Sequence, residues 1–210
     1  MANALKIAFQ PLLRLHSPHK MRMFSVGASG SNSEILVDKH DRKRVVTLNR
    51  PKALNALNLN MVREFYHVLQ QWNNSADVDL VIVKGAGGKA FCAGGDVLAV
   101  SKSAKDAQAG GKSTDHKDFF REEYILNNLI GTFSKQYVAL IDGIVMGGGC
   151  GVSINGKFRV ATEKTMLAMP ETALGLFPDV GGSYFLSRLK VKSRCSTFSI
   201  VQSLNCGRMD

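Results

Sequence analysis

Three glycine-punctuated turns constrain this chain more than any other feature: FCAGGD (91–96), MGGG (146–149) and AMPETALGLFPDVGG (168–182). Each follows a short apolar run, so each reads as the end of a buried strand passing into a turn or helix. Chain segments at such ends carry backbone N–H groups that no secondary structure uses. The third turn also holds two carboxylates, Glu171 and Asp179, with Pro170 and Pro178 fixing the backbone beside them. Free amides with acids beside them suit chemistry on a carbonyl whose oxygen gains negative charge.

Strands and helices alternate around these turns. RVVTLNRP (44–51) predicts a strand stopped by Pro51, and Val62, Phe65, Leu69 and Trp72 share one helical face, with Asn58 or Asn60 as the cap. LVIV (80–83), YVALI (137–141), FRVAT (158–162) and TMLAM (165–169) read as strands. Residues 119–133 and the segment after Asp179 read as helices, and IVMGGGCGVSI (144–154) as a strand running into a helix of small residues that pack closely. Polar residues 101–117 read as a mobile surface loop. The recurring order of strand, turn and helix predicts an α/β layered fold. Beyond Leu189 the apolar pattern fades, and 190–210 reads as a tail on an interrupted domain.

A chain of 210 residues with 45% hydrophobic content suits one domain with a sizeable core. No apolar run approaches the ~20 residues of a membrane span. The net charge of +10 invites a nucleic-acid reading, but it lies at the ends. Residues 1–33 hold Lys6, Arg14, Lys20 and Arg22 with no acid, and 190–210 hold four basic residues against Asp210. That leaves no basic face at the centre, so neither a nucleic-acid nor a membrane partner is expected. The leader 1–33 has the composition of a mitochondrial transit peptide, directing the protein to the matrix, with a disordered basic segment as the alternative. Cys92, Cys150, Cys195 and Cys206 lack metal-ligand spacing and read as free thiols; no metal is expected.

The amides of Ala93 in FCAGGD and Gly148 in MGGG are the natural pair to hold an oxyanion, and Gly148 would gain from the helix it opens. Alternatively, these glycines serve tight turns and close packing alone. Glu171 and Asp179, among apolar neighbours, suit general acid–base work, although Asp179 could equally cap the helix that follows. Glu123 falls on the apolar seam of helix 119–133, where a charge is costly unless it is paired or used. Pairing with Arg121, or a rotated helix face, would explain it without function.

Taken together, RVVTLNRPKALNALN (44–58), KGAGGKAFCAGGD (84–96), DFFREEY (118–124), MGGGCGVS, FRVATEK (158–164) and the segment 169–189 resemble the crotonase (enoyl-CoA hydratase/isomerase) superfamily. The resemblance covers 34–189 and implies a spiral of ββα units, without the helical portion that usually follows. It implies an acyl-CoA substrate whose thioester oxygen lies between the amides of Ala93 and Gly148, with CoA arriving as part of the substrate and no separate cofactor. It places Lys52, Ala53, Leu54 and the turn of Ala93, Gly94, Gly95 and Asp96 along CoA. Hydratases of this superfamily carry a second glutamate where this chain has Gly151. The pattern here is instead that of members that hydrolyse a hydroxyacyl-CoA thioester: Glu171 and Asp179 catalytic, with Glu123 and Gly148 beside them around the acyl group. Hydration or isomerisation, or an inactive binding or assembly role, stand as the alternatives. A homo-oligomer is possible within the superfamily, but its C-terminal helices are not expected here.

Overall fold

The computed structural model describes residues 33–188 and the backbone of 200–203. The leader short of Ser33 and most of the 190–210 tail, with Cys195 and Cys206, lie outside the described residues.

β1 (Ile35–His40) and β2 (Lys43–Leu48) form an antiparallel hairpin that ends in a 3₁₀ turn at Pro51–Ala53. α1 (Leu59–Asn73) follows, capped as the sequence predicts: the Asn58 side chain accepts from Met61 N at 2.8 Å. Its predicted apolar face is buried, with Met61 added to it.

Thereafter the chain repeats one movement. β3 (Leu80–Gly85) leads to short β4 (Ala90–Cys92), then to helices α2 (Val97–Gln108) and α3 (Asp115–Gly131). β5 (Gln136–Ile141) leads to β6 (Ile144–Met146) and α4 (Gly148–Ile154). β7 (Phe158–Ala161) leads to β8 (Met166–Met169), a 3₁₀ turn at Glu171–Leu174 and α5 (Gly182–Leu186). The first strand of each unit joins a sheet ordered β1-β2-β3-β5-β7, and the second joins another ordered β4-β6-β8. All unit-to-unit pairings are parallel. This is the expected spiral of ββα units, and each short second strand delivers its end to the same side. β9 (Ile200–Ser203), within the segment read as a patternless tail, pairs antiparallel with β8.

The segment 101–117 is not the expected loop. It is mostly helical, and α2 is capped by Asp96, whose Oδ1 accepts from Ala99 N at 3.1 Å. The residue it buries is polar. Ser103, 7% exposed, bonds Ser113 Oγ at 2.8 Å and His116 Nδ1 at 3.0 Å. A helix anchored through hydroxyls leaves no apolar period in the sequence.

Asn55 ties the spiral together at its first turn. Leu54 and Asn55 both adopt positive φ, 51° and 57°, a conformation that non-glycine residues hold only when their surroundings enforce it. The fully buried Asn55 side chain accepts from Arg50 N at 3.0 Å and donates to the carbonyls of Ala86 and Ala90, each at 2.9 Å. It thereby joins the end of β2 to the β3–β4 connection. Asn55→Ala leaves those three backbone groups without partners, and we expect a loss of roughly 2–4 kcal/mol. The urea midpoint should fall accordingly; an unchanged midpoint would show that the turn holds without this side chain.

Candidate active site

Turn by turn, the spiral gathers the predicted residues around a cleft of about 270 Å³. Ala93, Gly94 and Gly95 line it from the end of β4, Glu123 from α3, Gly148 from the start of α4, and Glu171 and Asp179 from the last loops. Phe119, Leu174 and Phe177 are among its apolar lining. Lys52, Ala53 and Leu54 are not on its wall. Lys52 is exposed on the 3₁₀ turn, and Asp96 borders an adjoining pocket. Asp96 also has a structural task, since its Oδ2 accepts from Arg50 Nη2 at 2.9 Å while its Oδ1 caps α2.

One expected oxyanion donor is corrected. The amide of Ala93 donates to the Leu54 carbonyl at 3.0 Å and is not free. The nearby Gly95 is held differently. Leu57 bridges it in parallel, donating to Gly94 O at 2.7 Å and accepting from Asp96 N at 2.7 Å. In such a pairing the bridged residue's own N–H and C=O turn to the opposite side. Gly148, the first residue of α4, has an N–H without an intrahelical acceptor. The two glycines adjoin: a Cβ on Gly148 would lie 3.4 Å from Gly95 N and would collide with Glu123 Oε1. Nothing in FCAGGD marks which amide is free, because Leu54, the acceptor for Ala93, lies far away in sequence.

The carboxylates crowd the same place. Glu123 is 2% exposed, and its Oε1 has no hydrogen-bond partner among the described residues. Arg121 pairs with Asp118 instead, and Glu122 with Arg63, so the expected alternative of an Arg121–Glu123 pair is not formed. Burial, then the charges of Asp179 and Glu171, push Glu123 up to about 8. Glu171, 8% exposed, sits on its 3₁₀ turn with Oε2 unpartnered. Burial raises its pKa, with Asp179 adding to the shift against its own backbone amide. Its Oε1 lies against Gly147, whose φ of 47° and lack of Cβ leave the carboxylate room. Asp179 does not cap α5 through its side chain; its carbonyl accepts from Gly182 N at 2.7 Å, and its Oδ2 accepts from Tyr124 Oη at 2.6 Å. Tyr124, adjacent to Glu123, escapes notice in the sequence because an aromatic on a helix reads as packing.

Gly151, where hydratases carry an acid, is walled in. A Cβ there would come within 2.9 Å of the Asn127 side chain and Val180. The thiols Cys92 and Cys150 are buried, and burial pushes Cys92 up to about 12 and Cys150 higher still, so neither supplies a thiolate. No group of metal-holding side chains occurs among the described residues, and none of their helices is long and apolar enough to cross a membrane.

Residues 43–200 match the sequence profile of the enoyl-CoA hydratase/isomerase family. The chain belongs to that family. Its relatives include proteins named mitochondrial 3-hydroxyisobutyryl-CoA hydrolase, from Danio rerio (59% identical, covering 79% of this chain and 42% of the relative) and Homo sapiens (54%, 83% and 43%). Among solved structures, a carnitinyl-CoA dehydratase from Mycobacterium thermoresistibile superposes with a TM-score of 0.71 at 45% identity, covering 77% of this chain and 46% of that one. An enoyl-CoA hydratase from Rhodobacter sphaeroides 2.4.1 superposes at 0.68 and 40% identity, covering 75% and 46%. The chain thus spans about two fifths of the length of the curated relatives it matches.

The raised Glu123 has a consequence for stability within this family member. Below the ordinary carboxylate value the folded and unfolded states both hold its proton. As pH rises from there toward about 8, the unfolded state ionises while the folded state does not, so stability falls. Glu123→Gln removes this dependence. We expect its melting temperature at pH 8 to exceed the parent's by roughly 10 °C, with convergence near pH 4. Parallel melting curves at all pH values would refute the buried position of the acid.

Proposed function

We propose that the chain hydrolyses the thioester of 3-hydroxyisobutyryl-CoA to 3-hydroxyisobutyrate and free CoA, a mitochondrial reaction of valine catabolism. The observation that carries this reading is the convergence of two unclaimed amides and three carboxylates in one apolar cleft. The names of the relatives support the substrate and the compartment, with 1–33 as the import segment. Thioester, water and protein side chains balance the reaction, and CoA enters as part of the substrate.

In this reading the N–H groups of Gly95 and Gly148 hold the thioester oxygen and stabilise the charge it gains on attack; such a donor contributes about 3 kcal/mol. Glu171 takes a proton from water as the hydroxide adds to the carbonyl. The C–S bond then breaks, and the proton passes from Glu171 to the departing sulfur, so the carboxylate ends as it began. A direct attack by Glu171, giving an anhydride that water opens, reaches the same products. In the same reading Glu123, protonated at neutral pH, bonds the acyl hydroxyl, and Asp179 orients it. Hydration of a double bond has less support, because the Gly151 position leaves no room for a second acid.

Glu171→Gln should lower thiol release from 3-hydroxyisobutyryl-CoA by at least about 10³-fold, with the affinity for CoA changed less than threefold. Turnover near the parent's value would end the assignment. Hydration of crotonyl-CoA by the parent, without thiol release, would favour the other chemistry of the family.

A further inference from the structure

The three acids of the cleft are not held alike. Glu123 is fixed by burial, and Glu171 by its short 3₁₀ turn against Gly147. Asp179 is neither: it is half-exposed on a loop, its backbone held by the Gly182 amide but its carboxylate free to rotate on that account. What touches the carboxylate is Tyr124. The two residues, with Phe177, line both the cleft and an adjoining open surface depression. Asp179 therefore stands in a partition, where a turn of its side chain would carry it from one space to the other.

Tyr124 is itself positioned. α3 delivers it directly after Glu123, and its ring packs at a tilt of 41° on Phe120, one turn earlier, with centroids 6.3 Å apart. The phenol donates to Asp179 Oδ2 at 2.6 Å. We propose that Tyr124 is a positioning residue for catalysis, holding one oxygen of Asp179 in the partition so that the other is presented to the acyl group. This rests on the hydrolase reading above. Partial burial, the bond to Asp179 and the nearby charge of Glu123 together raise the phenol's pKa, so it stays a donor throughout the working pH range. Tyr124 is thus neither a base nor a nucleophile. Its contribution is geometric, since a catalytic group released to other rotamers loses rate without losing substrate affinity.

The test combines kinetics on the full 210-residue chain with a titration. Tyr124→Phe keeps the ring and removes the donor. It should lower kcat for thiol release about tenfold, with KM within about twofold. In Tyr124→Phe/Asp179→Asn the rate should be no lower than in Asp179→Asn alone, because the hydroxyl acts through that carboxylate. Losses that multiply, or a Tyr124→Phe enzyme with the parent's kcat, would overturn the proposal. Independently of turnover, the ¹³Cζ signal of Tyr124 should titrate at lower pH in Asp179→Asn than in the parent. A signal that does not move would overturn the proposal even in an active enzyme. A parent that releases no thiol, yet shows the tyrosine shift, would overturn the hydrolase reading while upholding the hold of Tyr124 on Asp179.

Discussion

Asn55 satisfies three backbone groups that no strand or helix can reach, and the geometry of the cleft depends on that bond set. By accepting from Arg50 and donating to Ala86 and Ala90, it holds the turn after β2 in a left-handed conformation that asparagine tolerates and Leu54 would otherwise disfavour. The turn so held offers Leu54 O to Ala93 and sets Leu57 beside Gly95. Leu57 engages the neighbours of Gly95 and so leaves the Gly95 N–H facing away from the bridge. A buried amide on the first turn thus decides which amide at the end of β4 is available for chemistry.

The cleft is the least comfortable part of the structure. Three carboxylates share an apolar pocket, and oxygens of two of them lack any partner among the described residues. Outside the cleft, Glu122 pairs with Arg63 and Asp96 with Arg50. Unpaired buried acids cost stability, and groups of this kind cluster at functional sites. The glycines of α4 make the crowding possible. Cβ atoms at 147 and 148 would displace Glu171 and Glu123 respectively, so the absence of side chains there is what admits the acids.

Much of this was legible before any coordinates. The apolar face of α1 and its cap and most strands of the spiral follow from local periodicity and turn chemistry, whereas the grouping of Glu123, Gly148, Glu171 and Asp179 follows from the resemblance to the superfamily. The failures have one cause. α2 was hidden because Ser103 anchors it through hydrogen bonds rather than through an apolar stripe. Ala93 looked like a donor because its acceptor, Leu54, is distant in sequence. Asp179 could have been a cap, and only the approach of Tyr124 from α3 assigned its side chain elsewhere.

The sequence by itself therefore determined the repeating order of strand, turn and helix, the turns at which backbone amides become available, and the acids beside them. These depend on the chemistry of neighbouring residues, and neighbours along the chain are visible in a string of letters. The tertiary structure decided which amides remain free, which acids stay unpaired, and which hydroxyl holds Asp179. Those outcomes are competitions for hydrogen-bond partners between segments tens of residues apart, and they are settled only when the spiral brings the competitors within about 3 Å of one another.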